Sequence, residues 1–446
     1  MIANLSKLLR DGSIAKGFAL VFAIAAIVRV SFFLLWNAYL PIEFDAAELA
    51  KVAINLYEGR GFTSPWFPHE EPTAIFAPLI PALYSILMHI GGGPNADTAR
   101  LITIINIVPS SLAVACYWLI ARQLTLRASD LPGYFPVVVA LVFSFWPESL
   151  FRFLDLWYYV WQEAAIAALV YSSFLWIDRQ SIRNGLIIGT VAGVAAYINP
   201  VPLPVFAVAL ITPFVVNRKN QLGSRLRAGV IAGLVATTII APWTIRNMLV
   251  FDSFIPMRSG FGMELRQGNN PVGSIRQNST SIHPSLKKEE LEKLQSMGEP
   301  AYTQWASRQA KDYIRTHPSE TLVRVAQRFY VTWFTDIFDQ WSWFPEQQWW
   351  NQCCLSDRAL RVTTILTALV PLVIVVGGLA RGYLRGLPYI VIFISLFLFL
   401  PLPYYFTQAN DVFSQFVRPW LGMLALIVVI RWIAERRNRP KALIDE

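Results

Sequence analysis

The chain has 446 residues, of which 55% are hydrophobic and only 15% are charged. Soluble domains carry roughly 25% charged residues, so this balance points to a chain built for lipid. The net charge of +9 does not indicate nucleic acid, because no basic face with base-stacking context appears; Lys and Arg retained in cytoplasmic loops account for it.

The first apolar run in chain order covers 17–40 and follows Lys7, Arg10 and Lys16. It is long enough to cross a bilayer by itself and reads as an uncleaved anchor. Arg29 lies in the middle of that run, where a charge is costly and faces a partner or a wet cavity. A first long polar segment, 41–98, then begins PIEFDAAELAKVAINLYEGRGF. Leu49, Val52, Ala53 and Leu56 recur at helical spacing and predict an amphipathic helix along the interface. Asp45 and Glu48 stand three apart at its start and share a face. They fit an N-cap with its capping-box partner. A second reading is a general base that takes the proton of a weakly nucleophilic hydroxyl. The run 74–90 contains Pro78 and Pro81 and reads as a re-entrant or interfacial segment.

Further apolar runs lie at 99–121, 133–150, 157–177, 185–200, 201–216, 228–245, 361–380, 387–402 and 418–434. Together they predict an all-α integral membrane protein of about ten transmembrane helices. With the N-terminus inside, the inner loops hold Arg122 and Arg127, Arg179 and Arg183, Arg218 to Arg227, Arg381 and Arg385, and the tail holds Arg436 to Lys441. Every inner segment is therefore basic, which supports both the count and the orientation. The chain divides into an N-terminal transmembrane region (1–245), a long outer loop (246–360) and C-terminal transmembrane helices (361–446). The loop reads as helical around Pro284–Met297 and Pro300–Thr316 and ends in an aromatic stretch, Trp333 to Trp350. Cys116 reads as core, and the adjacent Cys353 and Cys354 read as two free thiols, with a vicinal disulfide as the alternative and no metal-ligand spacing.

Two more groups carry candidate chemistry. Glu148 and Asp155 flank an outer turn, PESLFRFLDLWYY, and by themselves read as a solvated turn pairing with Arg152. Arg246, Arg258 and Arg266 follow the seventh run, and Arg152 and Arg418 sit at other outer helix ends. A planar guanidinium suits a phosphate. The alternative is snorkelling to headgroups or pairing with a local acid.

Five pieces carry a resemblance: ELAKVAINLYEGRGFTSP (48–65), PTAIFAPLIPALY (72–84), NPVPL (199–203), APWTIRNMLVFDSFIPMRSGFGMELRQGNN (241–270) and MGEPAYTQWASRQAKDYIRTHP (297–318). On these the chain resembles membrane glycosyltransferases of the GT-C type, the superfamily of the protein O-mannosyltransferases and aminoarabinose transferases, and most closely a bacterial group within it. The resemblance implies a GT-C type bundle with two long outer loops and an active site on the periplasmic or exterior side of the inner membrane. It implies a catalytic acid just after the first transmembrane helix. Asp45 stands about where the superfamily places it, and Glu48 matches the closer group. It implies Asp155 or Glu148 as second acid, and Arg246, Arg258, Arg266, Arg152 and Arg418 as candidates for the donor phosphate. The implied donor is a polyprenyl-phosphate sugar, the acceptor a lipid, glycan or protein hydroxyl, and no metal or other cofactor is required. A transporter or flippase of lipid-linked sugars is the alternative. It explains the helices and the outer arginines, but not the two long outer loops, and no paired halves are evident.

Overall fold

The computed structural model describes residues 13–39, 44, 47–66, 71–216, 222–273, 275, 282–334, 355–409 and 416–438. Among these residues only helices and their connections form, apart from one antiparallel bridge between Thr63 and Pro72. The N-terminal half comprises α1 (Ile14–Tyr39), α2 (Glu48–Tyr57), α3 (Leu79–Gly91), α4 (Ala96–Arg127), α5 (Phe135–Ser144), α6 (Pro147–Arg152), α7 (Tyr159–Asp178), α8 (Ile182–Ile198) and α9 (Leu203–Val216). It continues into α10 (Leu222–Phe251), α11 (Phe261–Gly268), α12 (Lys288–Met297), α13 (Glu299–Thr316) and α14 (Pro318–Phe334). The last helices are α15 (Leu355–Ala380), α16 (Ile390–Phe399), α17 (Leu402–Phe406) and α18 (Arg418–Asn438).

Each of the ten apolar runs contains a helix. Four of these, α1, α4, α7 and α10, are long and apolar enough to cross a membrane by length and composition. The others are shorter within the described residues or, like α18 with Arg418, Arg431 and Glu435, more charged. The run 133–150 is not one span. Helix α5 stops at Ser144 and α6 restarts at Pro147, whose ring cannot extend the preceding hydrogen-bond ladder. The run 74–90 forms α3, with Pro81 in the first turn, where its missing N–H costs nothing. Gly92 ends α3 in the left-handed conformation, φ 76°.

Helix α2 forms as the spacing predicts and buries Leu49, Ala50, Val52 and Ala53. Its start overturns the capping-box reading. Ala47 is the N-cap and Glu48 the first helical residue, so Glu48 cannot reach back as the third-position partner.

Within the bundle α4 is central: its most apolar window is 78% buried, against 22% for α1 and 17% for α10. Ile27, Leu34 and Leu35 of α1, and Leu234 and Leu249 of α10, remain exposed, as lipid-facing side chains do. Helices α8 and α10 approach closely because small residues face each other. A methyl group at Gly185 or Gly189 would collide with the carbonyl oxygens of Ala228 and Ala232.

The two long segments are sewn to each other. The buried Glu299 carboxylate accepts from the Thr73 hydroxyl at 2.5 Å, the Ala74 N–H at 2.8 Å and the Ser259 hydroxyl at 2.6 Å. The Ser259 N–H donates to the Ala74 carbonyl at 2.9 Å. Residues 73–75 of the first segment are thereby fixed against 258–259 of the second.

Candidate functional site

A cavity of about 410 Å³ lies where these segments meet the bundle. That volume is in the range of small-molecule sites. Glu48 and Trp66 reach it from the first segment, Arg258 and Glu264 from the second, Asn199 from the end of α8 and Tyr404 from α17. Apolar surface dominates its walls, with few polar groups converging, which is the usual build of a ligand site.

Glu48 owes its position to α2. The buried face of that helix packs into the core, and the first-turn carboxylate sits at the positive end of the helix dipole. Its Oε1 accepts the Trp66 indole N–H at 3.0 Å. The His283 imidazole stands beyond, with Nδ1 3.6 Å from the same oxygen and its ring edge-on to Trp66 at 5.3 Å. Burial pulls the His283 pKa down, and Glu48 opposes that shift. The ring is therefore neutral near pH 7. Its Nδ1 accepts the Ser285 N–H at 3.1 Å, which leaves the proton on Nε2.

Arg258 uses its Nε to bind the Ile75 carbonyl at 2.8 Å and lies over the Phe76 ring at 5.6 Å. One edge of the guanidinium is thus spent on fixing the side chain. The side chain also lines the cavity. Glu264, on α11, is the second carboxylate of the cavity. Burial raises its pKa to about 7; Arg258 lowers it and Glu48 adds to the rise.

The remaining predicted residues fall elsewhere. Asp45 lies outside the described residues, as do Cys353 and Cys354. Glu148 is not on a solvated turn. It is buried and accepts from Arg418 at 2.7 Å, and the Arg418 side chain is fully buried too. Asp155 pairs with Arg152 at 3.2 Å, as the turn reading expects. Arg246 donates to the Thr73 carbonyl at 2.8 Å and the Phe62 carbonyl at 3.2 Å while lying over Trp243 at 4.8 Å. Arg266 makes two bonds to Glu290, at 2.7 and 2.9 Å, and lies over Trp305. Of the five arginines only Arg258 lines the cavity.

Arg29 is fully buried, with Nε donating to Ser110 Oγ at 2.5 Å and a terminal nitrogen reaching the Ala25 carbonyl at 3.2 Å. A further acid, the half-buried Glu163 of α7, accepts from the Tyr117 and Ser149 hydroxyls, both at 3.0 Å.

Sequence reasoning missed Glu264, His283 and Glu163. Glu264 had one signal, its place inside the 241–270 block. His283 had none, being a lone histidine. Four of the five resembling pieces contribute to the cavity wall, through Glu48, Ile75, Asn199 and Arg258, and the fifth supplies Glu299. No family model matches the chain, and no curated protein matches it.

Proposed function

We propose that the chain is an inverting glycosyltransferase of the GT-C type that takes a monosaccharide from a polyprenyl-phosphate carrier at the outer face of the cytoplasmic membrane. The observation that carries this reading is the pairing of Glu48 and Arg258 in one aromatic-walled cavity. Glu48 is the base. It removes the proton of the acceptor hydroxyl, the freed oxygen attacks the anomeric carbon, and the bond from that carbon to the phosphate oxygen breaks with inversion. Arg258 holds the carrier phosphate and stabilises its charge as it leaves. Trp66 and the Trp157–Tyr159 run offer flat faces to the sugar ring. Glu264, half protonated near neutral pH, can both donate to and accept from sugar hydroxyls.

The test uses purified protein with a panel of radiolabelled polyprenyl-phosphate sugars, with and without a membrane extract as acceptor source. Extract-dependent release of free carrier phosphate from one donor is expected. Movement of the labelled lipid across liposomes without release would make the protein a flippase instead.

A further inference from the structure

Helix α14 is turned inside out with respect to water. Its inward positions include the polar Thr321, Arg324, Arg328 and Thr332, all buried, with Val331 the one aliphatic side chain buried beside them. Arg324 donates to the Asn270 carbonyl at 2.8 Å and the Gly268 carbonyl at 3.3 Å. Arg328 donates to the carbonyls of Gly268, Tyr405 and Phe406. These arginines satisfy the carbonyls that α11 and α17 leave open at their C-terminal ends. The polar face of α14 is thus consumed by the protein.

The outward stripe is apolar. Leu322 is 70% exposed, Val323 55% and Phe329 47%. Their spacing of one and seven residues places them on one side of the helix. A helix in water shows the opposite arrangement, with apolar side chains in and arginines out. The preceding helix obeys the water rule: α13 turns Lys311, Asp312 and Arg315 outward. The character of the surface therefore switches at the break between α13 and α14.

Neighbours say what covers the stripe. The C-terminal part of α14 packs on the apolar end of the bundle. Trp333 donates to the Tyr405 hydroxyl at 2.7 Å, and its ring lies 6.3 Å from Phe397 of α16. Helix α16 has no charged residue and itself turns Ile394 and Leu398 outward, as α15 turns Val373 and Val376 outward. Such faces belong in hydrocarbon, and α14 meets them through Trp333 against Phe397 and Phe329 against Tyr405. We infer that α14 lies on the bilayer with Leu322, Val323 and Phe329 among the acyl chains of one leaflet. The segment 246–360 is then not merely a water-exposed loop. Its last helix grips the membrane and, through Arg324 and Arg328, holds α11, the helix that carries Glu264. This placement does not depend on the proposed glycosyl transfer.

The experiment uses the full chain in lipid nanodiscs, with Cys116, Cys353 and Cys354 replaced by Ala. Single cysteines at Leu322, Phe329 and, as water reference, Arg315 receive a nitroxide label. Power saturation then compares collision with oxygen, which enriches in hydrocarbon, and with a water-soluble nickel chelate. Labels at 322 and 329 should favour oxygen and the label at 315 should favour nickel. Nickel preference at 322 and 329 would overturn the inference. Protection from both reagents would also overturn it, since a second copy or another part of this chain would then cover the stripe. Should the cysteine variants not fold, the unaltered chain in vesicles containing a photoactivatable phosphatidylcholine tests the same placement. Label on 318–330 and little on 299–316 is expected; label on the bundle helices with none on 318–330 would overturn it.

Discussion

The carboxylate of Glu48 and the imidazole of His283 approach to 3.6 Å, although one opens the first long segment and the other lies deep in the second. Trp66 holds the pair, donating to Glu48 and meeting His283 edge-on. Glu48 is thereby offered a neighbour whose charge depends on pH.

That contact predicts an acid limb. Burial holds the His283 pKa below its ordinary 6.5, so the ring charges only under more acidic conditions. A charged ring would pair with Glu48 and weaken it in the proposed role of base. Carrier-phosphate release by the wild-type protein should therefore fall below pH 6.5 more steeply than release by His283→Asn. Coincident acid limbs for the two proteins would remove His283 from the account.

Glu264 makes a second prediction, read as stability. Its folded pKa of about 7 lies above the ordinary 4.5. A raised carboxyl pKa means that its contribution is fully present below pH 4.5 and is lost as pH rises through about 7. The apparent melting temperature should fall over that window, and Glu264→Gln should flatten the fall. An unchanged profile in the variant would contradict the buried-acid assignment.

Glu299 joins the two long segments through three accepted hydrogen bonds. Glu299→Ala strands three donors, and a loss of about 2–4 kcal/mol follows from the cost of unsatisfied buried groups. Differential scanning fluorimetry in detergent checks this, and Glu299→Gln, which keeps an acceptor, should lose less. Equal melting of all three proteins would show that the clamp is not needed.

The Glu148–Arg418 pair makes the opposite kind of case, structural where a site was anticipated. Breaking a buried pair from one side costs about 3–5 kcal/mol, while replacing both partners by apolar groups costs much less. Arg418→Met alone should therefore melt well below the Glu148→Leu, Arg418→Met double variant. If Arg418 instead held a donor phosphate, the double variant would stay stable and lose donor affinity.

Much of the architecture was legible in the sequence because hydrocarbon imposes its own signature. All ten apolar runs contain a helix, and α2 follows from the spacing of Leu49, Val52, Ala53 and Leu56. What failed was tertiary. Glu148 pairs with Arg418, 270 residues along the chain, a partner that local spacing does not offer. Arg246 and Arg266 carry the same charge as Arg258, but their donors serve a backbone carbonyl and a carboxylate that no local pattern announces. The site was legible only in part: Glu48 and Arg258 stood among the candidates, while Glu264 and His283 enter through contacts between segments that the sequence keeps apart.

The most direct test of the central claim is carrier-phosphate release by Glu48→Gln, measured beside the wild type with the accepted donor. Glutamine keeps the size and the acceptor oxygen for Trp66 but cannot take a proton. The account predicts that kcat falls by a factor on the order of 10²–10⁴, the usual worth of a general base, while donor binding persists. Turnover equal to the wild type would contradict it.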